Sequence, residues 1–353
     1  MNFVMCKNCV LDNTEVPDLD FNADGICKYC RSFFAEEKDR QAAKTNLPWI
    51  YNTIRKDGIS KKFDVILGLS GGADSSTCLH HLVQNGIRVL CVSMDNGFND
   101  AKADENIMRL VEGLKVPFER IVIDLDRFRD LLTTFLQSGV KNIEIPTDHI
   151  LRAAVYEAAM WHGVKWIISG GNYQTESVMP EIYGYEAADL THIKGIYKKF
   201  TGKKLTGLPV MSTWQYVWRR FVLGIKVVNL LDYVDYHREK SIKMLEEKYG
   251  YRPYGEKHGE NILTRWFQNF YLPTKWKLDK RKPHLSSLIL SGQITKKEAL
   301  EELAYPPVYP HLGIEEQVMN YPKHDHLEYP NSKRWRELAG KIYRFYAHPR
   351  RQK

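Results

Sequence analysis

Between residues 65 and 230 the chain alternates short apolar runs with longer stretches whose apolar positions recur at helical spacing. The runs Val65-Ile66-Leu67-Gly68-Leu69, Val89 to Met94 and Trp166-Ile167-Ile168 predict buried strands, Phe118 to Leu125 predicts another strand, and Lys226 to Leu230 predicts a fifth. Helices are predicted from Ser75 to Gln84, stopped at Asn85-Gly86, from Asp104 to Leu114, and around Glu239 to Lys248. Another carries Ile150, Ala153, Ala154, Tyr156 and Ala158 and begins after Pro146-Thr147-Asp148, where Thr147 or Asp148 can cap it. Strands separated by helices of this kind predict an α/β fold with a doubly wound, mostly parallel sheet. The aromatic stretch Trp214-Gln215-Tyr216-Val217-Trp218 predicts helical core or a subunit contact rather than a membrane device.

At 353 residues, with 43% hydrophobic and 12% aromatic residues, the chain can bury a real core and exceeds one modest domain. No stretch approaches the roughly 18 to 20 apolar residues of a membrane span, and no basic start with an apolar run marks a signal peptide, so a cytosolic, cytoplasmic protein is expected. A formal net charge of +8 permits a nucleic-acid partner but equally suits a nucleotide, a nucleotide-sugar or an acidic subunit. The tail from Lys333-Arg334-Trp335-Arg336 to Arg350-Arg351 carries much of that charge and reads as a solvated helix.

Four of the six cysteines form two CxxC pairs, Cys6 with Cys9 and Cys27 with Cys30, at a spacing that suits a four-thiolate zinc site. Disulfides are the alternative, but they need an oxidising compartment that nothing else in the sequence supports. Four protein ligands leave a metal no open position, so its role would be to fold a segment too small to bury a core of its own. Cys78 and Cys91 fall in a predicted helix and a predicted strand and read as buried free thiols.

The most informative segment is Ser70-Gly71-Gly72-Ala73-Asp74-Ser75, where the first strand breaks into adjacent glycines and enters a helix. Such a turn leaves backbone N–H groups at the positive end of the helix dipole, which suits a phosphate. Ser70 and Ser75 add hydroxyl donors, and Asp74 implies a divalent cation shared with the phosphates. An ordinary strand-to-helix turn would also accept Gly-Gly. A second glycine-rich turn, Ser169-Gly170-Gly171-Asn172-Tyr173-Gln174-Thr175-Glu176, occupies the same place after the Trp166 strand, at the sheet edge where ligands sit in open α/β folds.

The unaltered SGGADS segment resembles the SGGxDS signature of the PP-loop ATP pyrophosphatases, which cleave ATP between the α and β phosphates. The segments Tyr249 to His258, Asn261 to Trp276 and Asp279 to Gly292, taken with Cys6-Lys7-Asn8-Cys9-Val10 and the turn Ser169 to Glu176, resemble the bacterial N-acetyl sugar amidotransferases of the WbpG and PseA type. That resemblance implies a zinc-binding module over 1–45, a PP-loop ATP-binding domain over 46–235 and a mainly helical substrate- and partner-binding region over 236–353. It implies ATP contacts from Leu69, Ser70, Gly71, Gly72, Asp74, Ser75, Met94, Gly171 and Asn172, and magnesium held by Asp74 and Glu176. Catalytic roles would fall to Asp74, Ser75, Lys257, Lys280, Arg281 and His284. The cations among them equally fit a surface ion-pair set, and His284 equally fits a cap or a packed side chain. ATP, Mg2+ and structural zinc are the implied cofactors, a nucleotide-sugar the substrate and a separate glutaminase subunit the ammonia source. Two rivals remain at this stage: a zinc-containing PP-loop enzyme that modifies tRNA, and a zinc-stapled ATP-binding scaffold without activity.

Overall fold

The computed structural model describes residues 2–254 and 259–337. Five parallel strands form one sheet: β1 (Val65–Gly68), β2 (Val89–Asp95), β3 (Phe118–Val122), β4 (Trp166–Ser169) and β5 (Lys226–Asn229), in the order β3-β2-β1-β4-β5. The chain runs outward from β1 to β3 and then returns to place β4 on the other side of β1. The crevice beyond the carboxyl ends of β1 and β4 is therefore the switch point, where ligands bind in such sheets.

Period-two alternation sends the side chains of each central strand to two different cores. Val65, Leu67, Cys91 and Ile168 pack with Ile54, Leu79, Leu82 and Leu110 on one face, whereas Ile66, Leu90, Val92 and Ile167 pack with Ala153, Tyr156 and Ala159 on the other. The first face is covered by helices Leu47–Gly58, Ala73–Gln84 and Ala101–Leu114, and the second by Ile145–Trp161. Apolar side chains on both faces explain why the strand sequences read as unbroken apolar runs. The α/β, doubly wound, parallel reading holds.

Two predicted boundaries are corrected. The third strand ends at Val122, because Asp124 accepts from the Arg127 amide at 3.1 Å and caps a further helix, Leu125–Gln137. The helix carrying Ile150 begins at Ile145 instead of after Asp148; Pro146 suits its first turn, and no side-chain cap bond is made there. The helical-core reading of the Trp214 stretch is also overturned. Thr213–Val217 is a single short turn continued by wide turns through Val222, and it leaves Trp214 82%, Trp218 55% and Phe221 59% exposed.

A third apolar cluster joins distant parts of the chain. Cys6, Leu11, Cys27 and Phe33 pack with Leu132, Tyr183, Trp266, Tyr271 and Val318. The segment supplying most of those large side chains starts as helix Ile262–Trp266 and widens into π-turns over Phe267–Trp276, with Pro273 unable to donate a backbone bond. Among the described residues no helix is long and apolar enough to cross a membrane.

Candidate active site

The first glycine turn is shaped by its backbone. Gly71 has φ +80°, and a Cβ there would lie 2.3 Å from the Ala103 carbonyl oxygen. Ser75 Oγ lies 3.3 Å from the Ser70 amide and from Ser70 Oγ, and Ser70 Oγ accepts from the Gly72 amide at 3.2 Å, which closes the turn on itself. The helix that follows makes its first bond from Ser76 to the Gly72 carbonyl, so the amides of Ala73, Asp74 and Ser75 precede the intrahelical ladder. The second turn presses against this end: a Cβ on Gly170 would lie 3.0 Å from the Ser75 amide nitrogen.

Asn172 connects the two turns. Its Oδ1 accepts from the Thr175 amide at 2.9 Å and caps the short helix Tyr173–Glu176, while its Nδ2 donates to Asp74 Oδ2 at 3.3 Å. Asp74 Oδ1 accepts a hydrogen bond from the Tyr236 hydroxyl. Burial, then the Asp74 charge, pushes the Tyr236 phenol far above its ordinary range, so it stays a donor at any working pH. The Asn172 amide lies 3.4 Å from Glu176 Oε2. Asp74 and Glu176 thus flank one opening, as a pair able to hold a hard cation with oxygen ligands.

A cavity of about 930 Å³ opens beyond these turns. Leu69, Ser70, Gly72, Asp74, Ser75, Met94, Gly171 and Glu176 line it, and so do Lys280 and His284 from the far carboxyl-terminal part. Gly71 and Asn172 stand behind that lining. Arg281 does too: its guanidinium is bound to Asp279 and to the carbonyls of Glu302 and Tyr305. Lys257 lies outside the described residues.

Several lining groups carry no signature in the sequence. Glu260 accepts from Tyr254 Oη at 3.2 Å and lies 3.4 Å from Ser70 Oγ, so a carboxylate stands at the mouth of the first turn. Arg238 comes from the start of helix Arg238–Tyr249. Glu144 and Asp148, one helical turn apart, face the cavity together with Lys280. Glu260 lies 190 residues from Ser70, and the one local signal that could have marked any of these groups is the i, i+4 spacing of Glu144 and Asp148.

The four amino-terminal cysteines are fully buried, and their sulfurs all lie within 4.8 Å of one another. The separations are 3.7 Å for Cys6 to Cys30, 3.8 Å for Cys9 to Cys27 and 3.5 Å for Cys27 to Cys30. Hydrogen bonds between sulfurs pull Cys6 and Cys27 below the ordinary thiol range. This set could hold a metal. It is fixed to the rest of the molecule by Lys282, which pairs with Asp12 at 2.6 Å, and by Lys296, which donates to the Cys6 carbonyl at 2.6 Å. Cys78 and Cys91 are buried as expected, and burial drives the Cys91 thiol up to about 12.

Two family models match separate parts of the chain. Residues 260–341 match the family model described as the LPS biosynthesis protein WbpG-like, C-terminal domain, and residues 64–156 match that of the queuosine biosynthesis protein QueC, a PP-loop family. The chain thus combines a PP-loop segment with a WbpG-like carboxyl-terminal domain, as the sequence resemblance implied. No curated protein matches it. Among solved structures, NMN synthetase from Francisella tularensis is similar at 14% identity over 61% of this chain and 88% of that one, with a TM-score of 0.31. NH3-dependent NAD synthetase from Campylobacter jejuni subsp. jejuni NCTC 11168 is similar at 16% identity, 62% and 99% coverage and a TM-score of 0.30. The U34-tRNA thiolase NcsA from Methanococcus maripaludis, with its [4Fe-4S] cluster, is similar at 14% identity, 92% and 98% coverage and a TM-score of 0.36.

Proposed function

We propose that this chain is the synthetase of an ATP-dependent amidotransferase that converts an acetamido group of a nucleotide-linked sugar into an acetamidino group. The sugar would be of the 2,3-diacetamido uronic acid or nonulosonic acid type, and the product would enter surface polysaccharide or LPS O-antigen synthesis in the bacterial cytoplasm. One observation carries the reading: Glu260, Asn261, Thr264, Phe267, Gln268, Lys280 and His284, all within the WbpG-like segment, line the same cavity as the SGGADS turn. A volume near 930 Å³ is at the upper end of small-molecule sites, which suits a nucleotide and a second substrate side by side.

In this reading the first-turn amides and Ser70 hold the phosphates at the helix N-terminus. Asp74 and Glu176 would hold magnesium, which when bound offsets phosphate charge. Tyr236 and Asn172 fix the Asp74 carboxylate so that it need not reorganise during reaction. The acetamido oxygen attacks the α-phosphorus, the α–β bond breaks, and pyrophosphate leaves with the bonding pair. Ammonia then forms a bond to the activated carbon, and AMP departs carrying the former amide oxygen. Lys280, His284 and Lys257 are assigned to the sugar end. With Cys78 and Cys91 buried, a separate glutaminase subunit is the proposed ammonia source.

Zinc is the proposed occupant of the cysteine set. A single tetrahedral ion about 2.3 Å from each sulfur requires sulfurs about 3.8 Å apart, close to the separations found here, whereas an iron–sulfur cluster ties its cysteines to separate irons. The test supplies ATP, magnesium, ammonium and candidate UDP- or CMP-linked diacetamido sugars. AMP and pyrophosphate should form only with an accepted sugar, whose mass falls by the difference between O and NH. Release of AMP stimulated by tRNA instead, with salt-sensitive binding, would favour the tRNA-modifying reading.

A further inference from the structure

Away from the phosphate-binding turns, the cavity wall holds a small acid–base cluster. Glu144 immediately precedes helix Ile145–Trp161, Asp148 lies one turn later, and Lys280 approaches from the start of helix Arg281–Leu290. Glu144 is 7% exposed, and its Oε1 accepts from Thr264 Oγ1 at 2.6 Å. The side chains of Asp148 and Lys280 have no hydrogen-bond partner among the described residues. Thr147, between the two acids and lining the same cavity, is 9% exposed, and its hydroxyl is sealed from solvent without a partner. A sealed hydroxyl without a partner is costly unless a neighbouring group or ligand completes it, whereas Asp148 is exposed and Lys280 half-buried, so both are reachable from the cavity.

The charges oppose full ionisation of both acids. Burial and the Asp148 charge raise Glu144 to about 8, desolvation pushes Asp148 upward although its side chain remains exposed to the cavity, and burial lowers Lys280. Among the described residues the cluster also faces Glu260 and Glu176, with Arg152 on the same helix and the His284 ring across the cavity. Near neutral pH the pair holds about one proton between two carboxyls, which is the state of a site that can accept a proton or pair with a cation.

We propose that Glu144 and Asp148 form the cation subsite of the cavity, which takes a proton from ammonium and then holds the amidinium product. This rests on the amidine-forming reading. Ammonium gives one proton to a carboxylate, and the freed lone pair forms the new carbon–nitrogen bond as the carbon–nitrogen double bond of the adenylated imidate opens. The carbon–oxygen bond to AMP breaks with its electron pair, the nitrogen lone pairs close the amidine as a cation, and the proton taken from ammonium passes from the carboxyl to water, which restores the carboxylate that then holds the amidinium. The substrate amide is neutral and the product cationic with a planar N–C–N fork, so a carboxylate pair discriminates in favour of product-like charge.

Acetamidinium chloride titrated into the full chain and followed by NMR line broadening tests the subsite without the sugar. Saturable binding is expected, strengthening as pH rises from about 6 to about 8 because the carboxylates must ionise. It should weaken about tenfold or more in Glu144→Gln and Asp148→Asn, while neutral acetamide shows none. Equal binding of acetamide, or a wild-type titration flat with pH, overturns the proposal even if a variant misfolds. Exchange of labelled pyrophosphate into ATP by the wild type with a diacetamido sugar and no ammonium tests the underlying reading separately. Absent exchange with intact acetamidinium binding would reject the sugar reaction but keep the cation subsite.

Discussion

Among the described residues Asp74 receives hydrogen bonds from Tyr236 and Asn172, which belong to different segments and do not themselves line the cavity. Asp74→Ala should therefore lower AMP formation by about 10²-fold or more with an unchanged fold, since it removes a preorganised group from phosphoryl chemistry; steady-state kinetics beside a thermal melt checks both halves, and unaltered turnover would contradict the magnesium assignment. At Gly71 the constraint is steric as well as conformational. Gly71→Ala places a methyl group against the Ala103 carbonyl in a left-handed backbone and should cost about 1–3 kcal/mol, read from urea unfolding. The SGGADS turn was legible because local chemistry dictates it: paired glycines, hydroxyls and an acid within six positions. Tyr236, Glu260 and Glu144 were not, because tertiary packing alone brings Glu260 and Glu144 to the cavity and Tyr236 to Asp74 behind it. Arg281 shows the converse, a cation adjacent to Lys280 whose sequence neighbourhood promised a ligand role but whose donors are used on Asp279 and two carbonyls.

At the scale of elements, apolar runs and stop signals located all five strands; burial on both faces leaves a strong pattern in β1, β2 and β4, whereas the edge strands β3 and β5 are only partly buried. Boundaries failed where a single polar residue decides them, as Asp124 does after β3. The extended segment after residue 320 gave no periodic signal at all, yet it docks through a buried histidine pair. His192 Nε2 and His326 Nδ1 are 3.0 Å apart, the Asn142 amide donates to His326 Nε2 at 3.1 Å, and Tyr185 stacks on the His326 ring at 4.7 Å. Burial first, then His192, drives His326 from 6.5 down to about 3. The folded state therefore binds fewer protons than the unfolded one between those values, and stability must fall as pH drops below 6.5. Acidification from pH 7 to pH 5 should cost about 2 kcal/mol from this residue, measurable as a steeper decline in melting temperature than in His326→Gln.

Across the whole molecule, the amino-terminal cysteine knuckle and the carboxyl-terminal helices share one apolar cluster, which also contains Leu132 and Tyr183. The cysteine set is therefore placed to support the wall that carries Lys280 and His284, although it is remote in sequence. Cys27→Ser, or chelation of the wild type, should release bound metal and lower the melting temperature by about 10 °C, with loss of ATP-dependent turnover following from the displaced wall. A metal-replete, equally stable variant would contradict the structural role. The spacing of the cysteines announced the set; its packing against Trp266 and Tyr271 could not be read, because nothing local records which distant surface covers a knuckle too small for its own core. The most direct measurement of the central claim follows one atom: a diacetamido nucleotide-sugar labelled with heavy oxygen in its acetamido carbonyls, incubated with ATP, magnesium and ammonium. Transfer through an adenylated imidate puts the label in the phosphate of AMP as the sugar gains nitrogen. Unlabelled AMP, or a sugar that keeps its label while ATP is consumed, would contradict it.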